Sequence, residues 1–245
     1  MRTPTLLLVA ALTCGAAADA LAQPQERVAI SVNGAVQTTR HPFSDRFDFQ
    51  VNRETGNTEA EYPVEGDLVI DGSVVIRLWK NLGAGVAVSQ FTRDETVTTR
   101  SNIPHPFFFG TLRELTGDAS VTRTERGIHV HAAYTVPLVQ SLRLTIFAGP
   151  SFIRVEQDVV SSVQYDESFP FDTPTFRRAD VTRVSGDAVG FNAGADVAWM
   201  FTRNIGIGGV ARFARATVDV DFPGPRAKSL DAAGFTGGGG LRIVF

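Results

Sequence analysis

Hydrophobic and polar residues alternate at period two through most of this chain, which is the pattern of β-strands with one apolar and one polar face. The alternation predicts eight strands. In the first (26–37), Val28, Ile30, Val32 and Val36 share a face, and Ser31, Asn33 and Gln37 share the other. In the second (67–80), Leu68, Ile70, Val74, Ile76 and Leu78 oppose Asp71, Ser73 and Arg77. The third spans 84–96. The fourth (119–136) sets Ile128, Val130, Ala132, Tyr134 and Val136 against His129, His131 and Thr135. The fifth (141–157) sets Leu142, Leu144 and Ile146 against Arg143 and Thr145. The sixth (187–201) sets Val189, Phe191, Val197, Trp199 and Phe201 against Asn192, Gly194 and Asp196. The seventh (205–220) and eighth (231–245) carry glycine runs that blur the alternation and leave room for bends.

The connections alternate in length. Short turns are expected after strands two, four and six, and long loops at 38–66, 97–118, 158–186 and 221–230. In the first long loop Phe43, Phe47, Phe49 and Val51 precede Asn52-Arg53-Glu54-Thr55-Gly56-Asn57, and Tyr62 and Val64 follow it, so strands one and two are expected to continue beyond the membrane as a hairpin. Each predicted strand reaches the roughly 9–11 residues that a tilted strand needs to cross a bilayer. An apolar strand face turned to lipid requires that all backbone groups be paired, hence a closed barrel.

The last strand ends Gly240-Leu241-Arg242-Ile243-Val244-Phe245, with Leu241, Ile243 and Phe245 on one face. On that ending and the alternating connections, the chain resembles the outer-membrane β-barrels of Gram-negative bacteria, in particular the small barrels of the outer-membrane protein A/W and opacity-protein type. The resemblance implies an all-β, single closed antiparallel up-and-down transmembrane barrel of about eight strands, with long outer loops and short periplasmic turns. It implies that Leu241, Ile243 and Phe245 form the signal read by the barrel-assembly machinery. The expected surroundings are outer-membrane lipids and lipopolysaccharide, and no peptidoglycan-binding domain is expected after the barrel.

Residues 1–22 read as a cleaved export signal, with a charged start at Arg2, an apolar run from Leu6 to Leu12 and the small-x-small site Ala20-Leu21-Ala22. The barrel domain is then 23–245, in the cell outer membrane after Sec-type export. Cys14 is the only cysteine and lies in that leader, so neither a disulfide framework nor a thiolate metal site is expected. A net charge of −3 gives no reason to expect nucleic acid.

With the apolar face turned to lipid, Asp71, Arg77, Glu125, His129, His131, Arg143, Asp196, Arg212 and Arg242 point into the lumen. Charges buried there must pair, so the lumen is expected to be plugged by polar side chains. His129 and His131, two apart on a strand, share a face as metal ligands can, but they read as members of the polar network. No nucleophile–base–acid set is visible, so no enzyme and no cofactor are expected. The outer loops carry Phe47 and Phe49, then Phe107, Phe108 and Phe109, then Phe169 and Phe171. These are expected to pack as a lid over the barrel mouth, or to form an apolar ligand groove, an adhesive surface or a lipopolysaccharide contact. The reading is a structural or surface-interaction protein. The alternative is a narrow channel, or a binder of a small apolar ligand through the aromatic loops.

Overall fold

A computed structural model describes residues 27–38, 40–224 and 226–245. The export signal at 1–22 lies outside the described residues. Eleven strands are present: β1 (Val28–Gln37), β2 (Phe43–Val51), β3 (Glu54–Tyr62), β4 (Leu68–Trp79), β5 (Leu82–Pro104), β6 (Leu112–Val139), β7 (Leu142–Asp166), β8 (Thr175–Met200), β9 (Ile205–Phe222), β10 (Arg226–Ala232) and β11 (Phe235–Val244).

Eight of them close a ring. All pairings are antiparallel, in the order β1, β4, β5, β6, β7, β8, β9, β11 and back to β1. The closing seam runs from Ala29 opposite Val244 to Gln37 opposite Thr236. The Phe245 N–H donates to the Val28 carbonyl at 2.9 Å, so the last residue is held in the ladder. The glycine run of β11 has a physical cause at this seam. A Cβ on Gly240 would stand 1.8 Å from the Val32 carbonyl oxygen, so only glycine lets the two strands approach this closely.

The outside of the ring is apolar. Leu68, Ile70, Val86, Ile128, Val189, Ile207, Leu241 and others face outward, exposed in the isolated chain. Aromatic residues bracket this band. Trp79, Tyr134, Trp199, Phe201 and Phe245 lie at the short-turn end, and Phe152, Phe191, Phe213 and Phe235 at the other. Eight residues of β8 separate Phe191 from Trp199, which at strand rise and barrel tilt is about 20 Å. The inside is polar at this level, with Asn33, Asp71, His129, Asn192, Arg212 and Arg242 all buried. A soluble barrel would have the reverse arrangement; an apolar band between two aromatic girdles is the construction of a transmembrane barrel.

Three expectations are corrected. The segments 97–118 and 158–186 are mostly strand, because β5, β6, β7 and β8 run far beyond the apolar band and keep their ladders to Pro104 opposite Leu112 and Asp166 opposite Thr175. Their alternation continues, but with polar residues on the outer face, so the end of the apolar face is not the end of the strand. The hairpin at 43–62 is a separate pair rather than a continuation of the neighbouring strands. It turns on Asn52 and Arg53, both at positive φ as a two-residue hairpin turn requires, and β3 is stitched to β5 from Asn57 opposite Asn102 to Glu61 opposite Thr98. The eighth expected strand is two strands, broken at Ala233 and Gly234, where the chain leaves the β9 edge as β10 and resumes as β11.

Above the membrane band the ladder is therefore open. β2 and β10 are both end strands of the sheet and are not paired to each other. Side chains bridge the gap. Arg226 donates to the Asp45 carboxylate at 2.7 Å and to the Arg46 carbonyl at 3.1 Å, and Lys228 donates to the Ser44 carbonyl.

Candidate functional site

The lumen is organised in layers along its axis. Nearest the short turns is a cavity of about 90 Å³ whose lining includes Arg27, Arg77, Arg143 and His131. Ser31 and Ser73 hydrogen-bond across β1 and β4 at 2.5 Å beside it.

Two ion pairs close the cavity from above. Arg212 on β9 reaches across the lumen to pair with Asp71 on β4. Arg242 on β11 grips Asp196 on β8 with Nε at 3.1 Å from Oδ1 and with Nη2 on Oδ2. It passes close over Gly208, where a Cβ would stand 2.9 Å from Nε. Asn33 joins the two pairs: its amide donates to Asp71 at 3.0 Å, and its carbonyl accepts from Arg242 at 2.6 Å. The result is a hydrogen-bonded chain running Arg212, Asp71, Asn33, Arg242, Asp196. The Arg212 guanidinium also lies over the Phe147 ring, 5.4 Å from its centroid.

Histidine forms the next layer. His129 Nε2 is 2.9 Å from the Ser89 hydroxyl and Nδ1 is 2.7 Å from the Ser151 hydroxyl. The Asn192 amide donates to Ser151 at 3.0 Å and to the Gly149 and Pro150 carbonyls. His131 points to a different place, against the Phe147 ring at 4.9 Å. Among the described residues no group of three or more His, Cys, Asp or Glu could hold a metal ion.

Glu125 belongs to a third layer. It accepts from Arg123 Nε at 2.8 Å and from the Ala233 N–H at 2.9 Å, at the break between β10 and β11. Arg123, almost fully buried, also donates to Gln157 and to the Asp231 carbonyl. Asp71, Arg77, His131, Arg143, Asp196, Arg212 and Arg242 line the short-turn cavity, and Glu125 and His129 lie above it; Asn33 and Asn192 lie on the polar faces expected for them, and Arg123 and Ser151, not named from sequence, carry much of the bonding. Arg123 could have been found, since it shares the inward register with Glu125, His129 and His131.

The fourth layer is mainly apolar. Above the membrane band the interior holds Val97, Val121, Val159, Val160, Val184, Val220, Phe222 and Leu230, with Tyr62 stacked on Phe43 at 4.4 Å between ring centroids. Charged side chains are concentrated in the lower lumen, and aliphatic ones join the inward positions where the strands leave the membrane.

The aromatic residues of the outer loops divide into two groups. Phe47 packs against the valine core, with the Arg226 guanidinium over its ring at 5.4 Å, and the Phe49 ring covers Gly56. Phe107, Phe108, Phe109 and Phe169 are exposed at 65%, 62%, 77% and 85%. They sit on the far tips, beyond the valine cluster of the interior. The tips are braced. Arg113 donates to the Phe171 carbonyl at 2.6 Å, to Pro104 at 2.9 Å and to Glu167 at 2.5 Å. The buried His105 accepts from the Phe107 and Phe108 N–H groups through Nδ1, and Glu54 of the β2–β3 turn accepts from Gly110. Phe107 and Phe171 meet edge to face at 5.5 Å.

The chain matches no protein-family model and no curated protein sequence. Among solved structures it is similar to the outer membrane protein OprG from Pseudomonas aeruginosa, at 9% identity and TM-score 0.48 over 90% of this chain and 96% of that one. It is also similar to the outer membrane protease OmpT from Escherichia coli, at 10% identity and TM-score 0.49 over 93% and 99%. A third is Ail, the attachment invasion locus protein of Yersinia pestis, at 11% identity and TM-score 0.35 over 89% and 99%. At these identities the similarity concerns fold alone. The chain's own closed ring, apolar band and polar lumen carry the argument for a barrel of the outer-membrane type.

Proposed function

We propose that this protein is a non-enzymatic, non-conducting outer-membrane barrel that carries a rigid β-structured platform for contact with another surface. The apolar band and its aromatic girdles support residence in the membrane. The polar layers and the valine core above them support a closed lumen. Leu241, Ile243 and Phe245 all face outward, which suits the assembly signal proposed for them. Among the described residues, no polar set in the interior is both accessible and built for nucleophilic chemistry: His129 is tied to two serines, with no acid on either, and is buried.

One observation carries the reading of a contact surface. Four phenylalanines stay exposed on tips whose backbone is fixed by Arg113, His105 and Glu54. Large exposed apolar patches on soluble surfaces mark interaction sites, and a braced tip loses little conformational freedom on binding. The test replaces Phe107, Phe108, Phe109 and Phe169 together with Ser in cells displaying the protein. Retention on an apolar surface should fall to the level of cells lacking the protein, with the amount of folded barrel unchanged. Undiminished retention by the folded variant would overturn the proposal.

A further inference from the structure

We infer that His105 is an acid-sensitive latch: neutral, it holds the phenylalanine tip between β5 and β6 in shape, and protonated, it releases that tip. This rests on the contact surface proposed above and concerns its regulation. His105 directly follows the last residue of β5 and is 3% exposed. Its Nδ1 accepts from the Phe107 N–H at 3.1 Å and from the Phe108 N–H at 3.2 Å. Its own N–H donates to the Thr111 carbonyl at 2.9 Å, and its ring lies 4.7 Å from that of Phe108. One imidazole nitrogen therefore fixes the backbone beneath two of the exposed phenylalanines.

These bonds define the tautomer. A nitrogen that accepts from N–H groups carries no hydrogen, so the proton of neutral His105 sits on Nε2. Nε2 is buried and has no hydrogen-bond partner among the described residues; the Asp172 carboxylate lies 3.5 Å from it. An imidazolium carries hydrogen on both nitrogens and accepts on neither. Protonation thus removes both bonds to the tip at once and sets an Nδ1–H against two amide hydrogens. A backbone N–H buried without an acceptor is costly, so the tip must open to let the Phe107 and Phe108 amides reach water.

The charged groups around the ring do not replace what is lost. Arg113 of β6 donates to the carbonyl of Pro104, the residue before His105, and so holds a permanent positive charge beside it. Glu167 pairs with Arg113, and the Glu54 carboxylate of the β2–β3 turn accepts from the Gly110 N–H. Asp172, between β7 and β8, faces Nε2 with a side chain 69% exposed, so water screens its attraction for an imidazolium. Pairing with Asp172 returns no acceptor to the Phe107 and Phe108 amides.

The test uses the full-length mature chain folded in detergent micelles, with backbone motion read as amide order parameters from NMR relaxation. Histidine ordinarily changes charge between about pH 5 and about pH 8, which sets the two conditions. At about pH 8 the Phe107 and Phe108 amides should have order parameters of about 0.85, and at about pH 5 they should fall below about 0.6, with the membrane strands unchanged. His105→Asn keeps an acceptor, because an Asn side chain bonds the backbone two residues on, and it cannot be protonated; its tip should stay ordered at both pH values. His105→Ala has no acceptor, and its tip should be mobile at both. Folding of each variant is checked by its gel shift between unboiled and boiled samples, and the wild-type titration decides even where a variant does not fold. A wild-type tip as ordered in acid as at the higher pH would overturn the inference, and so would an equal loss of order in folded His105→Asn. Retention of cells on an apolar surface, measured under the same two conditions, separates the latch from the surface it regulates. A fall on acidification in the wild type that is absent in His105→Asn supports both. Loosening of the tip in acid, with retention independent of the four phenylalanines at either pH, supports the latch and overturns the contact surface.

Discussion

Asp71 accepts from Asn33 and pairs with Arg212 at 3% side-chain exposure, so its removal leaves a buried guanidinium without its counter-charge. Loss of one partner of a buried pair costs about 3–5 kcal/mol. Asp71→Ala should therefore lower the unfolding free energy by that amount in guanidinium titrations of the folded barrel. Asp196 is 18% exposed at the cavity edge, where water reaches the orphaned Arg242. The effect of Asp196→Ala should be smaller, about 1.5–3 kcal/mol, the range of a hydrogen bond to a charged group. Equal stability of both variants and wild type would show that the lumen is fully hydrated. Tyr62 offers a test outside the membrane. Burial pushes its phenol up to about 12, against the opposing pull of the Val160 N–H that donates to its oxygen at 2.8 Å. The folded value lies above the usual ~10, so the stabilisation is full below about pH 10 and is lost as pH rises through about 12. Burial also raises Tyr165, so phenolate absorbance should show a late rise with more than one contributor, and Tyr62→Phe should remove its last part near pH 12. An unchanged titration in that variant would refute the assignment.

At the scale of elements, two devices complete a ring that the strands alone would leave imperfect. The first is the glycine of β11. Since a Cβ on Gly240 would collide with the Val32 carbonyl, Gly240→Val should hold β1 and β11 apart and sharply reduce the fraction of protein whose gel mobility changes on boiling. Normal folding of that variant would mean that the seam can shift. The second is the β2–β10 gap, held by Arg226 on Asp45 and Arg46. Arg226→Ala should expose 43–62 to limited proteolysis while the membrane-embedded strands stay protected; equal protection would mean that the stitch of β3 to β5 suffices alone. The membrane strands were legible because an outward apolar face beside a polar inward one leaves an unambiguous period of two. Their extensions were not, because beyond residues 91 and 152 the outer face turns polar and the inner face mixes aliphatic residues such as Val97, Val155 and Val159 with polar ones such as Glu95, Thr99 and Gln157. The hydrophobic alternation that marks the membrane strands is lost there, although the ladder continues. The hairpin turn was placed only approximately, since Arg53 at positive φ has no sequence signature comparable to Gly.

For the whole molecule, the question is whether a closed ring of eight strands conducts. A ring of that size has an interior just wide enough for side chains to fill, and the sequence reading assigned charged residues to it by their register, though not Arg123. It could not show which ones bond, because partners such as Arg212 and Asp71 lie 141 positions apart and meet only across the closed lumen. Nor did it show that a second barrier stands above the first. An ion crossing from the short-turn end would meet the Arg212–Asp71–Asn33–Arg242 chain, then the His129–Ser151 layer, then Arg123 and Glu125, and finally a core dominated by valines. Breaking the first layer alone leaves the last intact. Wild-type protein and Asp71→Ala should therefore both be silent in planar bilayers, even though the variant is less stable. Conductance is expected only when both barriers are weakened, as in Asp71→Ala combined with Val159→Ser and Val160→Ser, because hydroxyls admit water where valines exclude it. Steady single-channel currents in the wild type, or in Asp71→Ala alone, would show that the upper core does not seal the barrel and would favour the narrow-channel reading over the closed platform.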